Sequence, residues 1–258
     1  MAAVEDSKSL YAPLVEALGV DAQSFETLIR SRRSCRDFDP TREVEQEKLE
    51  AIMDDISWAP SWCNTHPYFF CIARGERLVR IRDRLCALYD CAAGAGKGML
   101  AMASVWARGC APDGDYNTLI KYPPHLQKHR VDCAKGLYGL MDIARADTKK
   151  REAQDRRNFE FFDAPCVLFV LVQDGMGPFS PLDAGFALDT LLLSAHARGL
   201  GACAQGALAT WGSPVRDEFP EIPKGYKLLC GVSMGYAKGG SKVNTFKPAR
   251  SPVACAGL

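Results

Sequence analysis

No apolar run in the chain approaches the roughly 20 residues that a membrane-crossing helix requires, so nothing in it predicts a helical membrane span. Excess charge is missing as well. The 32 Lys and Arg against 31 Asp and Glu leave a net +1, with acids set between the bases, which removes the bulk electrostatic reason to expect nucleic acid. Metal-ligand spacing is absent: 11 cysteines are scattered from Cys35 to Cys255 without a CxxC pair, and His125 and His129, one helical turn apart, have neither an HExxH setting nor a third ligand nearby. No nucleotide fingerprint is present, because Gly94-Ala95-Gly96-Lys97-Gly98 fits neither GxxxxGK[ST] nor GxGxxG. The opening residues are acidic, unlike the basic start of a secretory signal. These absences predict a soluble, cytoplasmic protein with no metal centre, no nucleic-acid partner and no membrane. They also predict free thiols in a reducing compartment, most acting as small hydrophobes, such as Cys166 ahead of Val-Leu-Phe-Val and Cys230 after Leu-Leu.

What the chain does have is apolar material, 47% of 258 residues, enough for one sizeable core. Periodicity predicts a helix from Ser24, read as an N-cap, with Phe25, Leu28 and Ile29 on one face, and a second over 44–56 with Leu49, Ile52, Met53 and Ile56 in a stripe. A strand is expected over 68–73 and a helix over 77–89, followed by an Ala- and Gly-rich stretch, 91–103, without a period. Residues 107–124, with Pro112, Gly114, Pro123 and Pro124, read as a loop or lid. Helices are expected over 126–145 and 148–162. The run 166–172 is apolar on both faces and belongs in a covered sheet, and 183–198 is a central helix whose apolar residues nearly encircle its axis. Residues 202–206, 214–219 and 228–234 complete the pattern as strand, short helix and strand. The arrangement predicts one domain over 24–250, an arm over 1–23 and a tail over 251–258, with the stretch after Gly235 extended and able to reach another subunit.

Four segments carry chemistry. Arg32-Arg33-Ser34-Cys35-Arg36 clusters cations of the type that binds phosphate bidentately. Ala59-Pro60-Ser61-Trp62-Cys63-Asn64-Thr65-His66-Pro67 is a turn that presents amide and hydroxyl groups. Gly199-Leu200-Gly201-Ala202-Cys203-Ala204-Gln205-Gly206 and Gly235-Tyr236-Ala237 with Asn244 and Arg250 follow near the C-terminus. In this order and spacing, over residues 25–250, they resemble the nitroreductase family of FMN enzymes. The resemblance implies an α+β, three-layer sandwich, a mixed central sheet flanked by helices, in an intertwined homodimer with FMN at the interface.

By position, the resemblance assigns Arg32 and Arg250 to the FMN phosphate, with Arg33, Ser34 and Lys247 as helpers. Arg36 falls beside the flavin N1 and O2 edge, where a fixed guanidinium suits the charge that reduction develops. Pro60, Ser61 and Asn64 match the turn that the second subunit brings to the ring, and Gln205 and Gly206 match the backbone near flavin N5. A glycine at 206 permits close approach to a ligand. His66 stands where a glutamine is frequent in the family, Cys63 lies inside the turn, and an Asn-x-x-Lys pair is not found, Lys97 being only a candidate. Asp183 and Asp189 lie on different helix faces, so Asp183 reads as a charge complementing the helix dipole and not as a catalytic acid. The implied activity is ping-pong transfer of hydride from NADH or NADPH, through flavin N5, to a nitroaromatic or quinone as small-molecule electron acceptor; the aromatic rings of Trp62 in the turn and of Tyr116 and Tyr122 in the loop are read from the sequence as candidate surfaces to flank it, or as structural residues. Lack of a separate dinucleotide fingerprint fits one shared pocket. Other chemistry on the same fold (ene reduction, dehalogenation, flavin-consuming oxidation), a non-catalytic flavin-binding dimer and a zinc or thiol protein stay open as alternatives.

Overall fold

The computed structural model describes residues 19, 21–96, 98–118 and 120–256. The arm expected over 1–23 and the candidate Lys97 therefore lie mostly or wholly outside the described residues. The chain divides into two units, Met1–Arg32 and Arg33–Leu258. In the first, α1 spans Ala22–Ser31, and its N-cap is Asp21, not Ser24: the Asp21 carboxylate accepts from the Ser24 backbone N–H at 2.7 Å and from its hydroxyl at 2.8 Å. The carboxylate can take both donors of Ser24, which a hydroxyl at the cap cannot do for itself.

The second unit is built on a four-stranded sheet, in the order β1, β2, β4, β3, where β1 is Tyr68–Arg74, β2 Cys166–Gln173, β3 Gly201–Gln205 and β4 Tyr226–Gly235. All three strand pairs are antiparallel, and the parallel component is a single bridge, Ser34 to Ala202, at the β3 edge. Residues 166–172 of β2 are buried on both faces, as the unbroken apolar run requires. Helix α2 (Gln46–Ser57) buries Leu49, Ile52 and Ile56, and with α7 (Phe179–Ala197) it covers one face of the sheet. Helix α3 (Gly75–Gly94) and the Phe159–Phe162 stretch cover the other. Two layers of side chains thus enclose the sheet, an α+β sandwich of three layers.

Four expectations change. The stretch over 91–103 is not irregular: α3 runs on to Gly94, and Met99–Ala107 form helix α4, whose mostly apolar composition hides any period. Cys91 and Cys110 form a disulfide, so the thiols are not all free; Cys91, in the last turn of α3, meets Cys110, just past the end of Met99–Ala107, with Cα atoms 6.2 Å apart. The segment after Gly235 does not run outward at once. Phe38 and Ala237 form an antiparallel bridge, a short turn spans Lys242–Thr245, and Phe246 is buried where a Cβ on Gly136 would come within 2.9 Å of its ring. Helices α5 (Pro124–Leu140) and α6 (Thr148–Arg156) are shorter than expected, and α8 is Ser213–Glu218.

Candidate active site

The first motif lies along the free edge of β3. The Cys35 N–H donates to the Ala202 carbonyl at 3.1 Å, and this approach needs Gly201, because a Cβ there would stand 2.7 Å from the Cys35 Cβ. Cys35 is buried, so its neighbours Ser34 and Arg36, two apart, remain half-buried and away from the core. On its other side the motif is clamped by the C-terminal segment. Asn244 accepts from the Arg36 backbone N–H through Oδ1 at 2.8 Å and donates through Nδ2 to the Asp37 carbonyl at 2.6 Å. Lys238 N–H also donates to Asp37, and Asp39 N–H to the Tyr236 carbonyl. Three of the four motifs are thereby one assembly.

At the far end of β3, Gln205 is buried, and its side chain is fully engaged. Its Nε2 donates to the Asn158 carbonyl at 3.0 Å, and its Oε1 accepts from the Ser233 hydroxyl. The chain itself does not require a glycine next to it: a Cβ on Gly206 would meet nothing within 4 Å, and its φ is not positive. At the opposite end, around Gly199–Gly201, a cavity of about 530 Å³ is lined by Arg33, Lys238 and Lys242 together with Ser241, Asn244 and Thr245, and by no acidic side chain. The Arg36 guanidinium enters no ion pair among the described residues. Arg32 is the C-cap of α1, in the first unit. Lys247 and Arg250 are exposed beyond Phe246.

The Pro60–Pro67 turn is elsewhere. It leads into β1, the other edge strand, three strand spacings from β3 or about 14 Å sideways. Cys63 (φ 48°), Asn64 (φ 56°) and His66 (φ 46°) are all left-handed, a conformation that persists only where the surroundings enforce it. Here Asp183 does so. Its buried carboxylate accepts from the Trp62 N–H at 3.0 Å, which replaces the helix-dipole reading of this residue; α7 begins four residues earlier, at Phe179. The Ser61 hydroxyl accepts from the His66 N–H at 3.0 Å, and the Trp62 ring packs on Phe179 at 4.1 Å. The Trp62 ring thus has a partner within its own chain, and Pro60 and Asn64 stay exposed.

Of the loop expected over 107–124, the described residues between Ala107 and Pro124 are irregular, and its base is pinned. Asp113 accepts from the Gly212 N–H at 2.6 Å, and Asp115 accepts from the Leu228 N–H at 2.7 Å and from Arg216. Neither carboxylate was singled out in the sequence, since both sit among Pro and Gly and their partners are about 100 residues away. Tyr116 and Tyr122 lie in this loop, and Arg130 covers the Tyr122 ring. Burial pushes the thiols of Cys35 and Cys86 up to about 11 and those of Cys71, Cys166 and Cys230 up to about 12, which leaves them protonated and inert. Among the described residues no three His, Cys, Asp or Glu gather as a metal site, and no helix is long and apolar enough to cross a membrane.

Comparison with known proteins gives the family and the fold. The model of the nitroreductase family matches residues 29–236. A 4-nitrobenzoate reductase of Pseudomonas putida is 30% identical over 230 residues, 88% of this chain and 91% of that protein. Among solved structures, the FMN-dependent nitroreductase NfnB from Mycobacterium smegmatis, in complex with NADPH, superposes with a TM-score of 0.73 at 28% identity, over 90% of this chain and 95% of that one. The FMN and NADPH-dependent nitroreductase NfnB from Sphigopyxis sp. strain HMH gives a TM-score of 0.77 at 27% identity, over 91% and 99%. With the motifs joined as described and the match running over most of its length, this chain belongs to the nitroreductase family.

Proposed function

We propose that the protein is an FMN-dependent NAD(P)H nitroreductase that works as a homodimer. The observation that carries this is the assembly at the β3 edge: Ser34 and Arg36 held between β3 and Asn244, with Gln205 locked inward and open space beside Gly206. The residues fit the cofactor. Cations and hydroxyls gather towards one end of β3, the end suited to a phosphate, and unfilled space lies at the other, suited to a flat ring. FMN, when bound, supplies the two-electron carrier that takes hydride from NAD(P)H and delivers it to the acceptor. Arg33, Ser34, Lys247 and Arg250 would hold the phosphate. Arg36 would bring a fixed positive charge to the ring, and the Gln205–Gly206 backbone would approach it closely because no side chain intervenes.

Two copies are needed to complete the site. The Pro60–Pro67 turn stands at the opposite edge of its own sheet, so the turn facing any one ring comes from a second chain. The apolar surfaces left open agree with this: Leu182 and Phe186, one turn apart on α7, and Leu100, Met102 and Trp106 on α4 are all exposed. In this reading the α7 surface pairs two copies and the turn, fixed to α7 through Asp183, is delivered with it. One shared pocket serves donor and acceptor in turn, a ping-pong scheme, with nitroaromatics, as in the named relatives, or quinones as acceptors.

The test is the visible spectrum of the purified protein during anaerobic addition of NADPH or NADH, then 4-nitrobenzoate or a quinone. Bleaching by the nucleotide and recovery with the acceptor support the reading. A flavin that no nucleotide bleaches favours a binding protein instead, and a colourless protein unable to take up FMN overturns the assignment.

A further inference from the structure

The imidazole of His66 lies between two polar groups of its own turn, with Nδ1 2.9 Å from the Tyr68 hydroxyl and Nε2 2.9 Å from Asn64 Oδ1. We propose that His66 is a positioning residue: it holds the Asn64 amide with its oxygen turned inward, so that the NH2 group faces out as a hydrogen-bond donor to a carbonyl of the flavin bound by the partner copy. The inference rests on the functional reading above.

The direction of the chain follows from the donor inventory. An amide oxygen only accepts, so Nε2 must carry the proton; a neutral ring then has Nδ1 as acceptor, and the Tyr68 phenol must donate to it. Tyr68 is suited to that part, since burial, and next the carboxylate of Asp183, push its hydroxyl above the usual range and keep it protonated. Tyr68 donates to His66, His66 donates to Asn64, and Asn64 Nδ2 has no hydrogen-bond partner among the described residues while the residue itself is exposed. The backbone of the turn is held independently, by Ser61 Oγ on the His66 N–H and Asp183 on the Trp62 N–H. The ring of His66 is therefore free to act on the amide without being the support of the loop.

The relay requires one donor and one acceptor at position 66. Glutamine offers both, leucine neither, and an ionised glutamate two acceptors, which would repel Asn64 Oδ1 and turn the amide over. The experiment titrates the apo forms of wild type, H66Q, H66L, H66E and Y68F with FMN by fluorescence quenching, and measures the midpoint potential of the bound flavin. H66Q should bind within about twofold of wild type, H66L about tenfold more weakly, the worth of one polar hydrogen bond, and Y68F between them. H66E should bind most weakly. The potential should be lower in H66L and H66E and unchanged in H66Q, a pattern that simple loosening of the turn does not produce. Wild-type affinity and potential in both H66L and H66E would overturn the proposal, as would equal losses in H66Q and H66L. If wild type itself takes up no FMN, the functional reading fails, and the proposal with it.

Discussion

Strands β2 and β3 belong to one sheet and have opposite characters. From Cys166 to Val172 every residue of β2 is buried, and its side chains reach Phe161 on one face and α7 on the other. In β3 the residues are Gly, Ala, Cys, Ala and Gln, Ala204 is exposed, and the outer edge is met by a single bridge from Ser34. Large side chains at the centre supply stability; small ones at the edge let the backbone come close to another chain segment and to a ligand. The Pro60–Pro67 turn, at the other edge, departs further still, with three left-handed residues held by side-chain hydrogen bonds. Stability is concentrated in the middle of this sheet, and the residues proposed to bind FMN lie along its margins.

The contrast can be broken first at its centre. Phe169→Ala empties a fully buried site on β2 and should lower unfolding free energy by about 3–5 kcal/mol in urea titration, while protein that remains folded keeps its FMN affinity. At the edge the pattern reverses. Arg36→Leu should leave the melting temperature nearly unchanged and reduce NADPH-driven nitroaromatic turnover about a hundredfold, the usual scale for losing a group that stabilises developing charge. Asn244→Ala lies between the two. It removes both bonds to the Arg36–Asp37 backbone and should cost about 1–3 kcal/mol of stability, together with weaker FMN binding.

Thiol labelling sharpens the comparison without substitution. Cys63, Cys133 and Cys255 are exposed and should react with iodoacetamide in the native protein, Cys63 losing reactivity when FMN is added. The buried thiols should react only after unfolding, and Cys91 and Cys110 only after reduction. The smallest effect concerns a peripheral carboxylate. Burial raises the Asp155 pKa above its ordinary value of 3.8, so the folded protein holds that proton more tightly than the unfolded chain. Stability therefore falls as pH rises from the ordinary value through the raised one. Asp155→Asn should be more stable than wild type at neutral pH, and the difference should close below the ordinary carboxylate range in thermal melts.

Much of this was legible in the residues, for reasons that differ by region. The unbroken apolar run of β2 could only be a doubly covered strand, and the Pro- and Gly-rich stretch expected as a loop over 107–124 is irregular between its helical ends. The motifs carried the family through their residue types, order and spacing taken together over residues 25–250. What stayed hidden depended on partners far away in sequence. Asp183 reads as a helix-terminal charge until Trp62, 121 residues earlier, is seen to donate to it. Gln205 reads as a polar residue near the ring, yet Asn158 and Ser233 turn its side chain inward, so that only its backbone is left for a ligand. Helix α4 was missed because a helix apolar on most sides has no period to detect.

The central claim, that each ring site joins the β3 edge of one copy to the Pro60–Pro67 turn of another, is tested most directly by complementation. Arg36→Leu and Asn64→Leu chains, each first verified to have lost activity alone, are unfolded, mixed in equal amounts, refolded with FMN and assayed with NADPH and 4-nitrobenzoate. Random pairing makes half of the dimers mixed, and each mixed dimer has one intact and one doubly damaged site, so activity should return to about a quarter of the wild-type level. Activity no higher than that of the separate variants, in a mixture shown to contain mixed dimers, would place both residues in a site within one chain and contradict the account.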